Sequence, residues 1–345
     1  MFDRMSTACR PLILLAIVVA SSAGTWAQTT PAPNSQPNPY PNVAQWGQLP
    51  AGRVWGNTSA IDVDAQGHIW VADKCGTTSC TGRTEYPVME LDASGKVLRS
   101  FGSGLFASPH GIHVDAEGNV WVTDAPGPGV AGGTATSDKG QQVMKFSPDG
   151  KLLLTLGKAG VMGTDTGTFN QPADVAVAPN GDIFVADGHG NARIVKLSKD
   201  GRFIKEWGKK GTGPGEFDVP HALEFDSRGR LFVGDRGNSR IQIFDQEGQL
   251  LAEWRQFGRP SGIFIDANDT MYVTDSESNP KRNPEYRRGL RVGSAKDGSV
   301  TAFVPIAGPD PNSAAGGPEG IAAGADGTIY GAETGGRDIK RYTRN

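Results

Sequence analysis

The sequence predicts an all-β fold, a closed ring of six four-stranded blades, and three observations carry that prediction. Residues 169 to 254 hold two head-to-tail copies of one pattern. Each copy has a Pro, an alternating apolar run, a tight Gly turn, a run ending in V-x-D, a loop with N-x-R-I, a fourth run and a Trp. Weaker copies recur from residue 58 to the end. The third observation is composition: 37% hydrophobic residues, with 48 Gly and 23 Pro among 345, suits a turn-dense β chain. A period of this length built from four short strands is the signature of a propeller or an array.

Taken in order, residues 1 to 27 read as a signal peptide. Arg4 and Arg10 precede the apolar run LILLAIVVA, and Thr25-Trp26-Ala27 offers small residues for cleavage. That run is too short to span a bilayer comfortably, so no stable membrane insertion is expected. An exported protein, periplasmic or secreted, follows. Residues 28 to 42 are rich in Pro, Asn and Gln and read as a disordered linker before a propeller over 43–345. Cys75 and Cys80, in CGTTSC, remain after the leader, and export favours a disulfide between them.

Six inner strands follow: TSAIDVD, PHGIHVD, PADVAVA, PHALEFD, PSGIFID and PEGIAAG. Each runs through a short turn into a second strand (IWVAD, VWVTD, IFVAD, LFVGD, MYVTD, IYGAE), then into a third. Alternating β-branched and aromatic runs with such turns are hairpin signals. The last copy stops after its third strand, while the lone segment NVAQWGQL at 43–49 resembles a fourth strand. The N-terminal strand therefore closes blade six and removes an open edge. A ring so closed needs no partner, which favours a monomer.

Loops joining second to third strands vary widely in length, and variable loops on a rigid scaffold are where ligands are met. On that rim the residue after the Pro-like position is Ser59, His110, Ala173, His221, Ser261 or Glu319. Blades two, four and six thus carry His, His and Glu, about 120° apart around a six-bladed ring. Two imidazoles and a carboxylate suit zinc or another divalent transition metal; a metal-free polar pocket is the alternative. The residues after V-x-D add Lys74, His189, Arg236 and Glu277. His189 has the chemistry of a base near neutral pH, and Arg236 that of a carboxylate clamp. Asp174 stands where other blades have Gly or Ala and reads as specific to the site. The aspartates of V-x-D recur in five blades and read as structural. His68 and His113 lie at positions with no rim role. GTGPGEF at 211–217 opens no helix and is no phosphate loop. A formal charge of −3, with no basic block after the leader, argues against nucleic acid.

The stretches QPADVAVAPNGDIFVADGHGNARI, VPHALEF and VGDRGNSRI resemble NHL repeats, and in particular those of the peptidyl-α-hydroxyglycine α-amidating lyases. The resemblance implies a six-bladed propeller with an axial zinc, a structural calcium, and cleavage of peptidyl-α-hydroxyglycine into a peptide amide and glyoxylate. Its two PH motifs fall on His110 and His221, its loop arginine on Arg236, and a second substrate-binding cation on Lys74. Three positions depart: the third PH motif is Pro318-Glu319, the tyrosine base is His189, and the calcium-linked Asp is Gly320. The implied metal set is therefore His110, His221 and Glu319, with His189 as catalytic base and Arg236, Lys74 and Asp174 binding a small hydroxylated or carboxylate-bearing substrate or peptide. Two other readings stay open at this stage: an NHL binding protein without catalysis that recognises protein or glycan, and a gluconolactonase-like calcium hydrolase, whose acid-amide ligand set is not evident.

Overall fold

Aspartates at the hairpin tips set the strand lengths. Asp64 Oδ1 accepts hydrogen bonds from the amides of Gln66 and His68 at 2.9 and 2.8 Å. Asp115, Asp226 and Asp266 do the same at equivalent places. A side chain that satisfies its own turn ends one strand and starts the next. The turn needs a left-handed residue, which Gly118 and Gly229 supply at φ 81 and 73°. In blade five Asp269 takes that place at φ 63°. Its carboxylate accepts from the amide and hydroxyl of Ser227, at 2.9 and 2.8 Å, and so ties blade five to the turn of blade four.

The computed structural model describes Met1 and residues 34–126, 138–306 and 317–345. The leader and the start of the linker lie outside them, as does most of the long rim loop of blade two. Six antiparallel four-stranded sheets are formed. Their inner strands are Thr58–Val63, Pro109–Val114, Asp174–Val177, Pro220–Phe225, Gly262–Ile265 and Pro318–Ala323, and residues of all six line the central channel. Among the described residues the one helical element is a turn at Arg236–Asn238. Second strands such as Ile183–Asp187 and Leu231–Asp235 are buried throughout, whereas the outer strand Phe203–Trp207 is largely solvent-facing. The apolar core therefore lies between neighbouring blades. Phe101 of blade one meets Phe146 of blade two, and Phe184 of blade three packs with Leu231 and Phe244 of blade four.

Closure is as the sequence implies. Strand Asn42–Trp46 pairs antiparallel with Asp338–Thr343, with Val43 opposite Tyr342 and Trp46 opposite Ile339. The expectation of a disordered linker up to residue 42 needs correction from residue 34 onward. Asn34 bonds to Glu285 O and to the Arg287 amide, Pro37 O accepts the Phe303 amide, and Tyr40 is fully buried beneath Arg344. Pro-rich composition signals an extended chain without internal hydrogen bonds; here the bonding partners are supplied by distant blades.

The recurring aspartates are structural. Asp187, Asp235 and Asp124 accept backbone amides of the segment entering their own blade, from Asn170, Asp218 and Ala107 at 2.8, 2.7 and 2.9 Å. Burial pushes Asp124 up to about 6. The N-x-R arginines complete this tie: Arg240, 1% exposed, meets Asp235 at 2.7 Å and donates to the carbonyls of Thr212 and Glu216. Cys75 and Cys80 form a disulfide. Among the described residues no helix is long and apolar enough to cross a membrane.

Candidate metal centre at the channel rim

The side chains at the rim are aimed by irregularities in the inner strands. Register slips between Pro109 and Ile112, Pro220 and Ala222, and Pro318 and Gly320, so His110, His221 and Glu319 each sit in a bulge. A bulge turns a side chain out of the pleat, and here it turns three of them toward the axis. Each imidazole is then fixed from behind. His110 Nδ1 donates to Ala173 O at 2.8 Å, and His221 Nδ1 donates to Ser261 O at 2.6 Å. Because a carbonyl only accepts, the neutral rings must carry their protons on Nδ1 and present bare Nε2 lone pairs inward.

Those lone pairs meet a carboxylate. Glu319 Oε1 stands 3.0 Å from His221 Nε2 and 3.6 Å from His110 Nε2. Despite that closeness, His221 Nε2 is buried without a hydrogen bond, since two acceptors face each other there. His189 joins the cluster from the loop of blade three, its Nε2 3.2 Å from His110 Nε2. Ligand atoms around a tetrahedral zinc stand roughly 3.3 Å apart, and the separations here bracket that value. Glu319 Oε1 accepts from Arg236 on one side, but the imidazole lone pairs facing it meet no donor, which suits a cation, so these residues fit a divalent metal.

Charges around the cluster agree with that fit. Burial, then the neighbouring imidazoles and Arg236, holds His189 well below the usual imidazole range. Burial followed by Arg236 pushes His221 down to about 4. Both rings are therefore neutral, as ligands must be. Arg236 Nη1 lies 3.3 Å from Glu319 and 3.6 Å from Glu277, and Arg259 binds Glu277 at 2.9 Å. Lys74, beside the Cys75–Cys80 disulfide, has its pKa lowered by burial, an effect opposed by Glu319, Asp124 and Asp73.

The model of the NHL repeat family matches residues 169–197 and 217–244. The chain is an NHL-repeat propeller. This NHL propeller is 36% identical over 253 residues to peptidyl-glycine alpha-amidating monooxygenase B of Xenopus laevis, an alignment covering 68% of this chain and 26% of that protein. It is 36% identical over 217 residues to peptidyl-alpha-hydroxyglycine alpha-amidating lyase 1 of Drosophila melanogaster, covering 55% of this chain and 38% of that one. The chain thus spans about a quarter of the Xenopus protein and well under half of the Drosophila one. A streptogramin B lyase structure superposes with a TM-score of 0.55 over 88% of this chain and 98% of its own, at 16% identity, a likeness of fold alone.

The NHL propeller brings most of the sequence-derived candidates together and sets one apart. His110, His221, Glu319, His189 and Arg236 form one connected group. Asp174 does not join it. Its carboxylate sits in the channel and spends its oxygens on the amides of Val175 and Leu223, both at 2.9 Å, tying blade three to blade four. Arg259 was not foreseen. The signal available was its place before Pro260, where other blades carry Asn, Ser, Gln, Val or Gly.

Proposed function

We propose that this protein is an exported, divalent-metal-dependent lyase related to the amidating lyases, acting on a small substrate or peptide that carries a hydroxyl and a carboxylate. The observation that carries this reading is the convergence of the His110 and His221 Nε2 lone pairs on Glu319 Oε1, at 3.6 and 3.0 Å, with His221 Nε2 buried without a hydrogen bond. A divalent transition metal bound there supplies Lewis acidity to a substrate oxygen.

This chain's own residues do the rest. Arg236 and Lys74 place positive charge beside the site for an anionic group, although Arg236 already shares its charge with Glu319 and Glu277. His110 and His221 are 8 and 3% exposed, which limits water at their ring nitrogens. In an α-hydroxyglycine the hydroxyl proton leaves, the carbon–nitrogen bond breaks, and the departing amide nitrogen gains a proton. The first of these transfers needs a neutral base within hydrogen-bond reach of the hydroxyl. Relatives named for this activity support the reaction class. The Cys75–Cys80 disulfide supports an oxidising compartment.

The test is to incubate metal-loaded protein with a peptidyl-α-hydroxyglycine and assay glyoxylate. Glyoxylate release that is abolished in Arg236→Ala and restored in part by Arg236→Lys is the expected result. Metal-loaded protein that leaves the substrate intact overturns the substrate assignment. A protein that instead captures peptide or glycan without turnover would answer to the binding-module reading.

A further inference from the structure

We propose that His189 is the third imidazole ligand of the rim metal and is not its base. This rests on the metal-centre reading above and changes which residues compose it. The three rings of His110, His189 and His221 have centroids 4.8, 4.9 and 4.9 Å apart, with interplanar angles of 77, 79 and 75°. Their ligand atoms all lie within 4.8 Å of one another. A near-equilateral set of mutually perpendicular imidazoles is how rings arrange when each aims a nitrogen at a common centre.

A base would aim its lone pair at substrate. His189 Nε2 is instead 3.2 Å from His110 Nε2, whose proton is committed to Nδ1 by Ala173 O. A proton on His189 Nε2 would reconcile that one contact. It would leave His221 Nε2 and Glu319 Oε1 still opposed at 3.0 Å. A single cation among the four groups reconciles every contact at once.

The loop is built to hold the ring there. His189 lies between two glycines, and each is packed at backbone level. A Cβ on Gly188 would fall 1.7 Å from Pro220 O, and one on Gly190 would fall 2.2 Å from the Asn170 side chain. The His189 and Gly190 amides bond to the carbonyls of Gln171 and Asn170 at 3.3 and 3.0 Å. Tight seating of this kind places an imidazole without help from its neighbours' side chains, as a ligand set requires. Blades two, three and four then each give one imidazole, and blade six gives Glu319.

The experiment uses full-length protein stripped of metal and titrated with Co2+, comparing wild type with His189→Ala and His189→Asn. Lys199→Ala, at an exposed turn position outside the rim cluster, serves as control. Wild type and the control are expected to show strong visible absorption of a low-coordinate cobalt site. Both His189 variants should lose intensity and bind more weakly by at least the roughly 10–100-fold that loss of an outer-shell partner costs. Zinc-edge X-ray absorption of wild type, which needs no variant to fold, should count three imidazoles. Variants with wild-type cobalt affinity and spectrum, or a count of two imidazoles, overturn this inference while leaving the metal-centre reading in place. Wild type that binds no cobalt overturns both.

Discussion

Asp174 lies in the channel with both carboxylate oxygens on backbone amides, and it shares that space with other acids. Burial, with the charge of Asp62 adding to it, pushes Asp174 up to about 7. Asp62 and Glu224 are raised by burial as well. A folded-state pKa above the ordinary value of 3.8 means that the folded protein favours the neutral carboxyl. That contribution is fully present below about pH 4 and is lost as pH rises through about 7. Asp174→Asn cannot ionise, so its stability relative to wild type should rise by on the order of 2 kcal/mol between pH 5 and pH 8. Denaturant midpoints at the two pH values measure this, and a pH-independent gap would contradict it. At this scale the sequence was legible in part. His110, His221 and Glu319 were readable because they occupy a repeat position whose direction the blades share. His189 was placed at the rim, but its task was not readable. The turn that aims it depends on glycines packed against Pro220 and Asn170, contacts that no pattern in the chain announces.

Among the elements, strand Asn42–Trp46 carries the ring's closure. Trp46 is 6% exposed and its ring lies 4.7 Å from that of Tyr330, within a cluster that includes Met89, Leu91 and Ile339. It therefore joins blade six to blade one. Trp46→Ala should destabilise the protein by about 3–5 kcal/mol, the usual cost of emptying a large aromatic site in a core. A urea titration reads this as a lowered midpoint, and a loss below about 1 kcal/mol would place closure elsewhere. The strand itself was legible, because KEWG and AEWR made AQWG recognisable as a fourth strand. The segment before it was not. Residues 34 to 41 follow the composition rule for disorder, yet Tyr40 is buried among Tyr272, Leu290 and Tyr342. Such docking depends on a partner surface far away in the chain, and composition carries no information about it.

For the whole molecule, the ring explains why three imidazoles and a carboxylate from four blades reach one point. Inner strands converge on the axis, bulges after Pro109, Pro220 and Pro318 turn the next residue inward, and hairpin and inter-blade ties hold the blades at fixed spacing. Six blades were legible because each local unit repeats its turn chemistry. The rim cluster was only half legible, because it is defined by how blades depart from one another. We propose that this convergence holds a divalent transition metal. The most direct measurement is elemental analysis of the full-length protein, purified without chelator, beside His110→Ala/His221→Ala. About one such ion per wild-type chain is expected, as a single site of this kind requires, with its loss from a double variant that keeps the propeller's circular dichroism. Wild-type protein that is fully folded yet free of metal, and that takes up none when dialysed against zinc, would contradict it.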